Sequence, residues 1–329
     1  MSFLLPQEHS ARSAGRQAAS SSMTRRTILA GAAAAIPAAF VATAAGASAP
    51  GGTPSDGGAP ASGGTQNSDV VSELRELERQ LDGEIGVHAI DTSTGECFGY
   101  RDQQPFLLCS VSKVLVVATV LNRASHDPKL LGRRVDITQE DILAYAPVTS
   151  KHLEDGMTVE ELCAAALTVS DNTASNLLME QCGGPEAVTD FVRSTGDLTT
   201  RLDRIEPDLN DASGGLDTTT PAAFSETLNR LTLGGALSAS GRDKLVGWMK
   251  ESATGAEQIR AGLPEGTLVG DKTGSGTHGE SNDVAVIWPK QGGPIIMSVF
   301  TTSSRADDTD GQKAAIAGTA RAVFGGITG

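Results

Sequence analysis

A serine hydroxyl with an amine three residues later is the first place in this chain where chemistry could occur. Ser110-Val111-Ser112-Lys113 leads into the apolar run Val114 to Leu121. A helix starting at Ser110 would put both side chains one turn apart on one face. A hydroxyl is a poor nucleophile until a base is held against it. A lysine becomes such a base once burial and positive neighbours pull its pKa down from about 10.4. Three further patterns could serve that nucleophile. Ser170-Asp171-Asn172 opens a helix that Ser170 or Asp171 could cap. Lys272-Thr273-Gly274 ends an expected strand, where an exposed edge lysine is the plainer reading, and Gly274 and Gly276 would allow a ligand close to the backbone. Arg204-Ile205-Glu206-Pro207-Asp208-Leu209-Asn210 places a carboxylate beside proline in a polar loop, either as a turn or as a base for hydrolysis. Each pattern is weak alone.

Several chemistries are excluded. The 329 residues carry 26 Lys+Arg against 40 Asp+Glu, a net charge of −14, so a nucleic-acid partner is not expected. Cys97, Cys109, Cys163 and Cys182 lack zinc spacing, HExxH is absent, and His9, His88, His126, His152 and His278 are scattered. No metal or other cofactor is expected. Gly266 to Thr273 imitates a phosphate loop, but Asp271 stands where that loop needs glycine. The GxSxG elbow of general serine esterases is missing around Ser110.

These groups need elements to hold them. Val70, Leu74, Leu77 and Leu81 predict an amphipathic helix over 69–81. Strands are expected at 85–90 and 96–100 around the turn Asp91 to Gly95. A long helical region follows, with a capping box at Thr158 and Glu161, helices 171–182 and 185–195 closed by Gly183 and Gly196, and a Thr220-Pro221 helix start. Strands return at 267–273, 283–288 and 295–301, and Ile316, Ala320, Val323 and Phe324 share the face of a last helix. The fold class expected is therefore α/β (α+β) in two lobes. Both chain ends build a five-stranded antiparallel sheet with terminal helices, about 68–103 plus 255–329, and an all-helical lobe spans about 104–254. A cleft between the lobes is the natural ligand site.

Upstream, Met23-Thr24-Arg25-Arg26-Thr27-Ile28-Leu29 precedes an Ala-rich run and Ala47-Ser48-Ala49. Residues 1–49 resemble a twin-arginine export signal, and no stable membrane anchor is expected. The mature protein would be periplasmic, cell-wall-associated or secreted. Cleavage after Ala49 removes four arginines and one glutamate and takes the net charge from −14 to −17. Residues 50–67, rich in Gly, Ala, Pro and Ser, read as a linker.

Jointly, the four patterns resemble class A β-lactamases over about residues 68–329. Tyr145-Ala146-Pro147, Lys151-His152-Leu153, Asp155-Gly156-Met157-Thr158, Leu202-Asp203-Arg204, Asp217-Thr218-Thr219 and Asp271-Lys272-Thr273-Gly274 extend the match. The resemblance implies hydrolysis of penicillin- and cephalosporin-type rings by a monomeric enzyme through a Ser110 acyl-enzyme. It implies Lys113 or Glu206 as the base that takes the Ser110 proton, and Glu206, with Asn210 holding a water, as the deacylating base. Ser170 would protonate the departing nitrogen. The backbone N–H groups of Ser110 and Ser275 would form the oxyanion hole. Asn172 would bind the substrate's side-chain amide, Lys272, Thr273 and Ser275 its carboxylate, Gly274 would also contact the substrate, and Tyr145 would form one wall by apolar contact. The 204–217 loop would be pinned by an Arg204–Asp217 ion pair and carry a cis Glu206–Pro207 bond.

The chain departs from the family pattern in places. Ser281 and Gln258 stand where members carry a carboxylate-binding arginine, and Arg260 lies two residues along. Carboxylate binding then leans on Lys272 and hydroxyls, and weaker inactivation by clavulanate-like compounds is expected. The 204–217 loop is about two residues shorter than in common members, and Ser112 replaces a frequent aromatic residue. Val117 and Gly276 stand where partners of Cys163 and Cys109 would be, so free buried thiols are expected. The rival readings are a penicillin-binding DD-peptidase, or a β-lactam-binding sensor that acylates without turnover.

Overall fold

A computed structural model describes residues 63–329. The export segment and the linker up to residue 62 lie outside the described residues. The first helix, α1 (Gly63–Leu81), begins inside the stretch expected to be linker. Its apolar stripe was expected from residue 69, and the extra turn carries no apolar residue that could have marked it.

Strands β1 (Gly83–Asp91) and β2 (Cys97–Tyr100) form a hairpin. A two-residue strand, β3 (Phe106–Leu107), then leads to a 3-10 turn at Cys109–Val111 and helix α2 (Ser112–Ala124). Strands β4 (Arg134–Val135) and β5 (Met157–Thr158) pair with each other ahead of α3 (Val159–Thr168). Helices α4 (Asn172–Cys182) and α5 (Pro185–Ser194) follow. Strand β6 (Thr218–Thr219) pairs with β3, and α6 (Pro221–Thr232), α7 (Ala239–Lys250) and the single turn α8 (Ile259–Gly262) complete the middle. Strands β7 (Leu268–Ser275), β8 (Ser281–Trp288) and β9 (Ile295–Ser303) and helix α9 (Thr309–Thr328) close the chain.

The helix ends obey local chemistry. Thr158 and Glu161 form the reciprocal capping box of α3, and Asp171, rather than Ser170, caps α4 through the Ala174 N–H at 2.9 Å. Thr220 caps α6 with Pro221 in its first turn, and Gly183 ends α4 at φ +90°.

The large sheet is antiparallel in the order β2-β1-β9-β8-β7, so strands from the two chain ends meet at the β1–β9 ladder. Both sheet faces are buried. Ile85, Val87, Ala285, Ile287, Met297 and Val299 face α1 and α9, against Leu74, Ile316, Ala320 and Val323. Ile90, Val284, Val286, Ile296 and Phe300 face the helical lobe. Two-sided burial is why these strands read as continuous apolar runs instead of alternating ones. Helix α2 is buried on every side from Ser112 to Leu121 and forms the axis of the helical lobe. The Phe300 ring lies 6.0 Å from both Phe106 and Phe224, so the lobes share one packed core.

Candidate active site

Ser110 lies in the 3-10 turn, and α2 proper begins two residues later than the sequence suggested. The three-residue spacing still works, because a 3-10 turn aligns positions three apart. Lys113 Nζ is fully buried and donates to Ser110 Oγ at 2.7 Å. It also faces Asn172 Oδ1 at 2.6 Å, Glu206 Oε1 at 3.0 Å, the Ser170 carbonyl at 3.1 Å and Ser170 Oγ at 3.2 Å. Three ammonium hydrogens thus have five acceptors, so the proton distribution can change without moving heavy atoms. Burial pulls the Lys113 pKa below its ordinary value, against the opposing pull of the Glu206 carboxylate.

The carboxylate expected to handle water is at the same spot. Glu206 Oε1 is 3.4 Å from Ser110 Oγ, and Asn210 Nδ2 donates to Oε2 at 2.7 Å. The Glu206–Pro207 bond is cis. Asn176 grips the Glu206 backbone from both sides, its Oδ1 accepting from the N–H and its Nδ2 donating to the carbonyl, both at 2.9 Å. Sequence reading missed Asn176; the only signal was its place one helical turn after Asn172. The expected neck of the loop is present. Arg204 Nε meets Asp217 Oδ2 at 2.5 Å, while Oδ1 accepts the N–H groups of Asp203 and Arg204 at 2.7 and 2.9 Å. Asp217 and Leu209 are fully buried, whereas residues 211–215 are exposed.

Of the two readings of Lys272, the exposed edge lysine is the one the structure overturns. Lys272 sits on β7, an edge strand, yet it is fully buried. Along β7, Gly270, Lys272 and Gly274 share the face turned to the helical lobe, so the lysine points inward. Its Nζ donates to Ser170 Oγ at 2.9 Å and to the Thr273 carbonyl at 2.6 Å. It is not among the residues lining the cleft. It meets the cleft through the Ser170 and Thr273 groups it holds. Burial and the nearby Lys113 charge lower its pKa to about 7.

That shift has a sign that can be tested. With its pKa lowered to about 7, Lys272 should lose its charge as pH rises through that value. For an anionic substrate, kcat/KM should fall as pH rises through about 7. The limb in kcat should lie higher, because a bound carboxylate favours the charged lysine. Lys272→Arg should push the kcat/KM limb above about pH 9, since a guanidinium stays charged there. A limb unchanged in that variant would assign it to another group. The unfolded chain holds this proton up to about pH 10.4, so the lysine's contribution to stability rises with pH from about 7 to that value.

The backbone around the site is strained. Cys109, Ser170 and Asp217 take φ of +48°, +60° and +53° without being glycine. Gly274 lines the cleft and also allows a close approach of two stretches of backbone. A Cβ there would lie 3.1 Å from the backbone nitrogens of Ser110 and Val111. A Cβ at Gly276 would strike the Glu280 carboxylate. Asp171 does more than cap α4: it accepts from the N–H groups of Val148 and Thr149 at 2.9 and 3.0 Å and from Thr149 Oγ1. With the Asn172 N–H bound to the Tyr145 carbonyl at 3.0 Å, this fastens the Tyr145 segment to the Ser170 turn.

Ser110, Tyr145, Ser170, Asn172, Thr273 and Ser275 line one cleft of about 390 Å³. That volume suits a small organic ligand. Gln258, which stands where members carry a carboxylate-binding arginine, lines it too, as do Thr254 and Lys313, which the sequence reading did not place in the site. Arg260 does not: it is spent on Asp271 and the carbonyls of Met249 and Lys250. All four cysteines are free; Cys109, Cys163 and Cys182 are buried as expected, while Cys97 is exposed. His152 contacts Asp155, and His278 contacts Thr277. Among the described residues there is no cluster that could hold a metal ion, and no helix is long and apolar enough to cross a membrane.

Residues 69–326 match the model of the beta-lactamase enzyme family. The chain is 44% identical over 257 residues to beta-lactamase OXY-2 of Klebsiella oxytoca, covering 78% of this chain and 88% of that one. It is 47% identical over 247 residues to a beta-lactamase of Streptomyces lavendulae, covering 73% and 81%. Among solved structures, the class A beta-lactamase from Mycobacterium abscessus superposes with a TM-score of 0.77 at 45% identity, over 79% of this chain and all of that one.

Proposed function

The chain belongs to the class A β-lactamases and hydrolyses the β-lactam ring, an activity that confers antibiotic resistance; from that premise we propose that turnover runs through a Ser110 acyl-enzyme deacylated by Glu206. The observation that carries this reading is the position of Glu206, 3.4 Å from the nucleophile and bound to Asn210. A DD-peptidase or a sensor needs Ser110 and Lys113 but no carboxylate above them.

Ser110 Oγ forms a bond to the lactam carbonyl carbon, and the C–N bond of the ring breaks. The Ser110 proton has two routes. Glu206 takes it at 3.4 Å, or Lys113 first gives a proton to Glu206 at 3.0 Å and then takes that of Ser110 at 2.7 Å. Both routes leave Glu206 protonated and Lys113 charged. The N–H groups of Ser110 and Ser275 hold the carbonyl oxygen as it gains charge, a contribution of about 3 kcal/mol each. Ser170, between Lys113 and Lys272, passes its proton to the ring nitrogen and is reprotonated from a lysine. Asn172, whose Oδ1 accepts from Lys113, keeps its amide N–H for the substrate's side chain. Thr273 and Ser275 meet the carboxylate, and Tyr145, half-exposed at the rim, forms an apolar wall. Lys113, having reprotonated Ser170, regains a proton from Glu206 and so restores the carboxylate; in the second half Glu206 removes a proton from a water that attacks the ester, and that proton returns to Ser110 Oγ as it leaves.

Export through the twin-arginine route follows from Arg25-Arg26 and the Ala-rich run after them. One experiment covers both parts of the proposal. Wild-type protein expressed in a Gram-negative host should open benzylpenicillin with many turnovers per molecule, and the activity should fractionate outside the cytoplasm. A single equivalent consumed, followed by permanent capping of Ser110, would overturn the mechanism; activity confined to the cytoplasm would overturn the export.

A further inference from the structure

The far end of α2 holds a second concave surface, one that the reaction above does not use. At 1.5 Å per residue, α2 carries the chain about 17 Å from the Ser110 turn to Arg123 in its last turn. There the local charge is the reverse of the whole. Residues 123–134 carry four cations, Arg123, Lys129, Arg133 and Arg134, against one carboxylate, Asp127, in a chain whose net charge is −14. Arg123, His126 and Arg133 line one cavity of about 410 Å³, together with the buried Leu130. We propose that this cavity is a binding site for a phosphate ester of a polyol, separate from the catalytic cleft.

The donors there are unspent or loosely held. Arg123 makes no hydrogen bond or ion pair with any described residue. Its Nη2 lies 3.6 Å from where a Cβ on Gly183 would stand, so the guanidinium reaches across to the end of α4. Arg133 holds Asp127 at 3.2 Å and Gln181 Oε1 at 3.5 Å. Both side chains of the Arg133–Asp127 pair are about half exposed, so water and salt screen it and the arginine is free to change partners. The helix end does not oppose an anion, because the carbonyls of Leu121, Asn122 and Arg123 already accept the N–H groups of Ser125, His126 and Asp127. Two guanidinium forks from different elements, α2 and the approach to β4, suit the several oxygens of a phosphate. The rest of the cavity suits hydroxyls. His126 Nδ1 lies 3.1 Å from the Asn122 carbonyl, which only accepts, so Nδ1 carries the proton and Nε2 of the uncharged ring is left as an acceptor. The side-chain amides of Asn122 and Gln181 add further donors and acceptors. The volume exceeds that of a bare phosphate and matches a small ester with a hydroxylated body.

The test is titration calorimetry and amide NMR spectra of the protein with glycerol 3-phosphate, poly(glycerol phosphate), inorganic phosphate and glycerol as probes. Glycerol 3-phosphate should bind one site per chain and shift the amides of residues 122–133 and 181–183, while those around Ser110 stay in place. Tighter binding of the polymer would name a polymer repeat as the source of the ester, and tighter binding of the monomer a free ester; either supports the site. Inorganic phosphate should bind about tenfold more weakly than the ester, for want of the hydroxyl contacts, and glycerol alone should give no shifts. Arg123→Ala and Arg133→Ala should each weaken binding by about tenfold, and raised salt should weaken it in the wild type. Asp127→Asn should tighten it by about threefold, because it frees Arg133. Unchanged benzylpenicillin hydrolysis in the variants shows that they fold, and the wild-type titrations stand without them. No binding of either ester, shifts centred on the catalytic cleft, inorganic phosphate binding as tightly as the ester, or full affinity in the arginine variants would overturn the proposal.

Discussion

Mixed with benzylpenicillin, Glu206→Ala enzyme should gain the mass of the drug and keep it. Removing the carboxylate takes away the base for the attacking water, a loss of about 10²- to 10⁴-fold in deacylation. It also removes the charge that keeps Lys113 protonated at 3.0 Å. Burial already pulls that lysine's pKa down, so without Glu206 it becomes neutral more readily and can take the Ser110 proton itself. Acylation should therefore be slowed less than deacylation, and the adduct should accumulate. Intact-mass measurement over minutes to hours reads this directly. Fast turnover without an adduct would remove Glu206 from the deacylation step.

Lys113→Ala should fail in the opposite way, with the first bond never forming efficiently. The amine touches Ser110 Oγ, Asn172 Oδ1, Glu206 Oε1 and both oxygens of Ser170. Its loss uncouples the nucleophile from its partners and leaves Glu206 without its cation in a site from which both side chains are fully shielded. Breaking one side of a buried pair costs about 3–5 kcal/mol. For a domain of this size that lowers the midpoint of thermal unfolding by on the order of 10 °C. Acylation by benzylpenicillin, followed as burst labelling of Ser110, should fall by about 10³-fold or more. Lys113→Met, which preserves most of the volume, should recover part of the stability and none of the labelling. Labelling at the wild-type rate in either variant would reduce Lys113 to a packing residue.

Much of this arrangement was legible because it is local. Ser110 and Lys113 are one turn apart, Thr158 and Glu161 form their box within four residues, and Thr220-Pro221 starts a helix where the rules place it. The sheet was legible because two-sided burial leaves apolar runs in β8 and β9 that nothing else requires. What escaped depends on distant partners. Lys272 was placed at the site, but its full burial shows only when β7 is laid against the helical lobe and the strand's alternation turns it inward. Asn176 is an unremarked helix residue until the 204–217 loop lies across it. Whether Arg260, two residues along from Gln258, reaches the cleft was left open by the sequence; Asp271, eleven positions later, holds it elsewhere. Lys313 belongs to a helix 200 residues after the nucleophile, and only the closure of the two chain ends brings it to the cleft.

The neck of the Glu206 loop bears on how such an enzyme can change. Arg204 and Asp217 clamp the two feet of the loop, while Asn176 and Leu209 fix the stretch that carries the catalytic acid. The arc from Asp211 to Gly215 is exposed and passes through Gly214 and Gly215 at φ of +76° and +64°, where chain reversal costs little. Length can be gained or lost in that arc without tugging on the acid. Selection by bulkier drugs therefore has a hinge-free place to experiment, with new side-chain reach at the rim and an unaltered hydrolytic machine beneath it.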